Sequence, residues 1–188
     1  MGTLDEIDWP LHTERLMLRR LADTDQDALW DIHSSPDGRQ WTGGAFDRDA
    51  FNERFFGTCA PDMLVVQFDD QVIGDIMVVI KDGWAQRPVE DQAKNVEAEL
   101  GWCFDAAHHG KGYATEAVGA ALRLCFEDLG VRRVFAEAFL ANEPSWRLME
   151  RLGMRREAVN VANSLHRDHG WLDGVLYALL ADEWRARI

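Results

Sequence analysis

Residues 99–117, ELGWCFDAAHHGKGYATEA, carry an apolar strand into a glycine-containing loop and from there into the start of a helix. Gly110 and Gly112 let the main chain approach an anion closely. The first amide N–H groups of the helix are unpaired at its end, and the helix dipole adds partial positive charge there. Lys111 supplies a full charge. By chemistry alone the segment is a cradle for phosphate or pyrophosphate, and by glycine content alone it is a structural turn. Two common nucleotide motifs do not fit. GxxxxGK[ST] fails because Asp105 stands where the first glycine belongs, and GxGxxG fails because Thr115 replaces the third glycine.

Outward from this segment, Val96–Phe104 reads as a strand. Ala114–Leu129 reads as a helix, with Ala117, Val118, Ala121, Leu122, Cys125, Phe126 and Leu129 on one face and Gly130 as its stop. Upstream, Thr13–Leu21 alternates as a strand and Thr24 caps a helix bearing Ala28, Leu29 and Ile32. A polar loop, residues 34–44, leads to an amphipathic segment at Asp47–Phe56. Asp62–Phe68 and Gln71–Ile80 form a hairpin about Asp69-Asp70, and Lys81–Asn95 is a loop. Downstream come strand Val131–Leu140, helix Glu143–Arg151 stopped by Gly153, strand Met154–Val161, a polar turn at Asn163–Gly170 and strand Leu172–Leu180. The order predicts a mixed α/β (α+β) fold with an internal βαβ unit. One domain over residues 1–188 is expected, two small lobes being the alternative.

The composition, 47% hydrophobic and 28% charged, is that of a globular chain. Its net charge of −13 argues against nucleic-acid or anionic-membrane partners, which need a basic surface. The acid is uneven: residues 1–94 hold 9 basic and 19 acidic side chains, residues 95–188 hold 11 and 14. Cys59, Cys103 and Cys125 show no paired spacing, which fits a reducing compartment. With no signal-like apolar run and no stretch of ~20 apolar residues, a cytoplasmic protein is expected. His108, His109, His166 and His169 lack regular ligand spacing, so no metal is expected.

His109-Gly110-Lys111-Gly112-Tyr113-Ala114 resembles the acyl-CoA loop, Q/R-x-x-G-x-G/A, of the GCN5-related N-acetyltransferases (GNAT), with His in place of Gln or Arg. The closest resemblance is to the RimJ/RimL-type ribosomal-protein N-acetyltransferases. Glu99-Leu100-Gly101-Trp102 matches their strand motif, Gly112–Ala117 their helix start, and Asn142, Ser145 and Leu148 their N-x-x-S-x-x-[LV] segment. TERLMLRRL and LDGVLYALLADEW extend the likeness over nearly the whole chain.

The resemblance implies a GNAT-like acyl-CoA N-acyltransferase fold, its central mixed sheet splayed between the fourth and fifth strands with helices on both faces. It implies direct acetyl transfer from acetyl-CoA to a primary amine, either a protein N-terminus or a small cationic amine. His109, Gly110, Lys111, Gly112, Tyr113, Ala114 and Thr115 would hold the pyrophosphate. Main chain of Trp102, Cys103 and Phe104 would meet pantetheine and the thioester carbonyl, Asn142 would anchor pantetheine, and Arg147 would meet the 3′-phosphate. Ser145 would serve the leaving thiolate, and Glu99, with Glu97 next, the attacking amine. The family habit is a homodimer.

Each assignment has a plainer counterpart. Asn142 and Pro144 make a good helix start. Glu99 reads equally as an edge-strand charge. Cys103 invites a nucleophilic role but lacks a placed base, and reads as a small strand residue. Trp9, Trp102 and Trp171 are read as core or sheet residues, while Trp41 and Trp84, in polar loops, are candidates to line the acceptor entrance. A non-catalytic acyl-CoA-binding sensor or scaffold is the alternative function.

Overall fold

The computed structural model describes residues 2–43 and 47–187, so the end of the polar 34–44 loop lies outside the described residues. Its strands are β1 (Leu11–His12), β2 (Met17–Arg20), β3 (Met63–Phe68), β4 (Gln71–Lys81), β5 (Glu97–Phe104), β6 (Arg133–Phe139), β7 (Arg155–His166) and β8 (Gly170–Leu180). They form a mixed sheet in the order β1-β2-β3-β4-β5-β6-β8-β7. β5 and β6 pair in parallel, through Glu97–Arg133, Ala98–Val134 and Glu99–Phe135. A parallel pair requires a crossover, and α4 (Tyr113–Arg123), continued by a π-helical turn at Leu124–Asp128, supplies it. No helix among the described residues is long and apolar enough to cross a membrane.

The chain divides into two compact units. The first comprises Thr3–Val78 and Gly101–Ala121. The expected strand at Thr13–Leu21 is shorter, because the chain turns at Thr13, whose amide donates to the Leu16 carbonyl at 2.9 Å before β2 begins. The helix expected from Thr24 opens instead as a 3-10 turn, Asp23–Asp25, ahead of α1 (Gln26–Ser34). Asp25 is responsible. Its buried carboxylate accepts the Ala22 amide at 2.9 Å and two Arg19 guanidinium nitrogens at 2.6 and 2.7 Å. The 34–44 loop contains a further helix, α2 (Pro36–Trp41), capped by the Ser35 hydroxyl accepting from the Gly38 amide at 3.0 Å. A serine before a proline is a helix-start signal that the polar composition masked. α3 (Arg48–Asn52) follows, running into a π-helical stretch at Glu53–Thr58. Leu29, Ile32, Phe51, Val65 and Cys103 form one cluster of this unit's core, against which Trp30, Phe55 and Phe56 pack.

The second unit comprises Met1–Gly2, Val79–Leu100 and Leu122–Ile188. It holds α5 (Glu143–Arg151), as expected, and α6 (Ala181–Arg185). The β7–β8 hairpin is longer than the sequence predicts: residues read as a polar turn remain in strand, and only residues 167–169 connect the two. The pairing is irregular between Asn160 and Ser164, where Ala162 takes φ +47° and donates its amide to Asp173 Oδ1 at 2.8 Å. The polar residues thus mark a bulge. Trp171 lies in β8 but is 63% exposed, so it belongs to the sheet and not to the core.

Two local constraints shape the first unit's strand-to-helix segment. Gly74 in β4 faces β5 so closely that an added Cβ would lie 2.5 Å from the Cys103 carbonyl oxygen and 2.6 Å from the Phe104 ring. At the helix start, the Glu116 carboxylate accepts from the Thr13 hydroxyl (2.6 Å), the Arg15 amide (2.8 Å) and the Arg15 guanidinium (2.7 Å). Arg15 donates onward to the Lys111 carbonyl at 3.0 Å and stacks over the Tyr113 ring at 4.7 Å. Burial alone would raise the Glu116 pKa, but the bonds from Thr13 and Arg15 and the guanidinium charge outweigh it, leaving the value lowered.

Gly74→Ala should lower stability by roughly 1–3 kcal/mol, the usual range for overpacking, measured from urea unfolding; an unchanged midpoint would contradict the close approach. Because the folded pKa of Glu116 is depressed, its contribution is present above the unfolded value of ~4.3 and is lost as pH falls through the folded value. Glu116→Gln should therefore be less stable than the parent at neutral pH, with the gap narrowing in acid. A gap unchanged between neutral and strongly acidic pH would refute that assignment.

Candidate active site

In the first unit, β5 delivers Trp102, Cys103 and Phe104 to the loop that precedes α4. Phe104 and Cys103 are buried, and Trp102 is half-buried. The Asp105 amide donates to the Ile73 carbonyl at 2.9 Å, and the Asp105 carboxylate accepts from the Ala107 amide at 3.1 Å, which holds the chain as it leaves the strand. Gly110 and Gly112 then take φ values of +74° and +83°. These are left-handed conformations that side chains resist, so glycine is required here by the backbone itself. His109, Gly110, Lys111 and Gly112 are exposed, while Tyr113 is buried and its ring packs 4.7 Å from that of Phe68. Ala114 and Thr115 stand half-buried in the first turn of α4.

The long polar side chains of this loop turn inward on it. Lys111 Nζ donates to the Ala107 carbonyl at 3.0 Å, and His109 Nε2 lies 3.1 Å from the Phe104 carbonyl oxygen. What the loop presents outward is therefore mainly backbone at a helix N-terminus, a geometry suited to an anion with several oxygens.

In the second unit, Glu97 and Glu99 sit at the start of β5, on the same side of the strand by its two-residue alternation. Glu97 accepts from Arg132 at 3.3 Å and Arg133 at 3.1 Å, and Arg133 also reaches Glu157 at 2.6 Å. Glu99 pairs with Lys81 alone among the described ion pairs. Two cations hold Glu97 in a structural network, whereas Glu99 has one flexible lysine as its partner. Trp84, in the adjoining loop, is 91% exposed.

α5 presents the remaining residues of this unit. Asn142 occupies the N-cap position, and its carbonyl accepts the Ser145 amide at 3.2 Å, but its side chain makes no capping bond. The expected side-chain cap is thus replaced by a backbone one. Ser145 is half-buried in the first turn. Arg147 is exposed, pairs with Glu143 at 2.9 Å and lies over the Trp146 ring. In the first unit, Trp41 ends α2 and is half-buried.

Sequence reasoning missed two sets of residues. Thr13, Arg15 and Glu116 brace the loop across some hundred residues, and the sequence signal for them is that TERLMLRRL and Gly112–Ala117 both carry the family resemblance. His33 and Asp75 meet beside Cys103, with His33 Nε2 2.6 Å from Asp75 Oδ2. The base that Cys103 lacks in sequence is therefore present in space. Burial, reinforced by the carboxylates of Asp75 and Asp105, nevertheless pushes the Cys103 thiol far above its ordinary range, which disfavours a thiolate nucleophile. Burial opposes a charged His33, yet the attraction of Asp75 and their hydrogen bond prevail and raise its pKa.

Residues 15–155 match the family profile of the acetyltransferase (GNAT) domain. The uncharacterized N-acetyltransferase YnaD of Bacillus subtilis (strain 168) is 30% identical over 177 residues, covering 92% of this chain and 97% of the relative. The crystal structure of an acetyltransferase (GNAT family) from Bacillus anthracis superposes with a TM-score of 0.79 at 26% identity, over 93% of this chain and all of that one. Mycobacterium smegmatis RimJ, solved in complex with CoA-disulfide, shares the fold with a TM-score of 0.72 at 23% identity, over 89% and 83% of the two chains. The chain belongs to the GNAT family and is an acetyltransferase.

Proposed function

We propose that the protein transfers acetyl from acetyl-CoA to a primary amine, an N-terminus or a small cationic amine, by direct attack in a ternary complex. The observation that carries this reading is the pair of left-handed glycines, Gly110 and Gly112, exposed at the head of α4. Their amides and those of Lys111, Tyr113, Ala114 and Thr115 fit a pyrophosphate, with His109 beside them and Lys111 adding charge. The shared fold of RimJ, which was solved in complex with CoA-disulfide, supports the same donor.

In this account main chain of Trp102 and Phe104 bonds the pantetheine arm as an added strand would, and an amide at Trp102 or Cys103 polarises the thioester carbonyl. Asn142, whose amide is not spent on capping, anchors pantetheine. Ser145 gives a hydrogen bond or proton to the departing thiolate. Arg147 exchanges its exposed Glu143 partner for the 3′-phosphate, at little cost because surface pairs are weak. Glu99 takes the proton from the amine, directly or through water. Its single lysine partner favours it over Glu97, which two arginines hold. Trp41, Trp84 and Glu97 border the acceptor, and the acidic balance of residues 1–94 attracts a cation. We read the chain as a RimJ/RimL-like cytoplasmic enzyme that works without a metal in this reaction and is able to act as a homodimer.

Thiol release from acetyl-CoA, followed with a panel of amines and N-terminal peptides, tests this. Turnover with at least one amine is expected, faster at low ionic strength for cationic acceptors. CoA binding without turnover on any amine would overturn the catalytic reading. Ser145→Ala and Glu99→Gln should each lower kcat by about 10²-fold, the scale of one proton-transfer group. The affinity for acetyl-CoA should change little, and an unchanged kcat would remove that residue from the mechanism.

A further inference from the structure

The first unit contains a group of reactive side chains for which acetyl transfer has no use. His33 in the last turn of α1, Asp75 in β4 and Cys103 in β5 come from three separate elements. One ligand atom of each lies within 4.8 Å of those of the other two. Asp75 is 4% exposed and Cys103 7%, and the His33 side chain is 11% exposed. Their surroundings are apolar. The imidazole lies 5.4 Å from the Phe51 ring and 4.8 Å from that of Phe55, and Cys103 belongs to the Leu29, Ile32 and Val65 core. Withdrawing a carboxylate and an imidazole from water costs several kcal/mol, which apolar side chains in the same places would avoid.

We propose that His33, Asp75 and Cys103 form a binding site for a divalent transition-metal ion of the zinc class. Imidazole nitrogen, carboxylate oxygen and thiolate sulfur are together the donor set of zinc, and a thiolate discriminates against magnesium and calcium. On binding, the Cys103 thiol and any protonated His33 imidazole give up their protons to solvent, and the resulting thiolate and the Asp75 carboxylate bring two negative charges to a divalent ion, so the filled site is neutral inside an apolar core. Tetrahedral bonds of ~2.0–2.3 Å put donor atoms about 3.3–3.5 Å apart. The 2.6 Å gap between His33 Nε2 and Asp75 Oδ2 must open by roughly 0.7 Å on that basis, while Cys103 Sγ stands within 4.8 Å of both. Side-chain torsions alone can supply changes of that size. Among the described residues no fourth His, Cys, Asp or Glu joins the group. The fourth position is thus left to water or another small ligand, as in zinc sites with three protein donors.

The test uses the full-length protein without a histidine tag, reduced and stripped with a chelator, then titrated with Co²⁺ and afterwards with Zn²⁺. One equivalent of cobalt should bind, giving a near-ultraviolet sulfur-to-cobalt charge-transfer band and visible bands of tetrahedral intensity, which zinc then abolishes. Cys103→Ser should lose the charge-transfer band. Asp75→Asn should weaken cobalt binding at least tenfold, since even outer-shell changes cost 10–100-fold. Cys59→Ser and Cys125→Ser should retain the band. Absence of a stoichiometric band in the parent protein overturns the proposal without recourse to any variant, as does a band that survives Cys103→Ser.

Discussion

The Glu116 carboxylate is the fixed point on which the candidate donor loop depends. It collects the Thr13 hydroxyl and the Arg15 amide and guanidinium, and Arg15 in turn holds the Lys111 carbonyl and covers Tyr113. A loop with two left-handed glycines is entropically expensive to order. The bonds from Thr13 and Arg15, in the turn between β1 and β2, add a long-range constraint, and because they are charge-assisted they are the strong kind. A negative residue in the first turn of α4 also suits the helix dipole, so Glu116 serves the helix while it serves the loop.

The same economy appears where β4 meets β5. Gly74 omits a side chain so that the strand can lie against Cys103 and Phe104, and the neighbouring Asp75 then turns toward His33 and Cys103. In the second unit, polar residues do more ordinary work. Arg133 bridges Glu97 and Glu157, and the Tyr177 hydroxyl accepts from Arg156 at 2.6 Å while donating to Glu150 at 2.8 Å.

What could be read from the sequence was whatever is encoded locally. α5 begins at Glu143 and ends at Arg151 as its caps predict, and the Gly110 and Gly112 turn is where the spacing puts it. Helix α2 was hidden because Asp37, Gly38, Arg39 and Gln40 resemble a loop in composition, although Ser35-Pro36 marks a helix start. Residues 163–166 resemble a turn because a bulge uses the same polar residues. Pairings between distant segments leave no local trace. Nothing near His33 in sequence announces Asp75, and nothing near Thr13 announces Glu116. For the same reason Glu97 and Glu99 were hard to separate by position alone, and their different ion-pair partners now distinguish them.

The central claim is that a backbone cradle at residues 109–115 recognises the phosphates of the acyl donor. Calorimetric titration of CoA against pantetheine, which shares the thiol arm but lacks the nucleotide phosphates, tests it most directly. The account predicts measurable CoA binding that weakens at least tenfold with pantetheine and falls as salt rises. Equal affinity for the two compounds would contradict it.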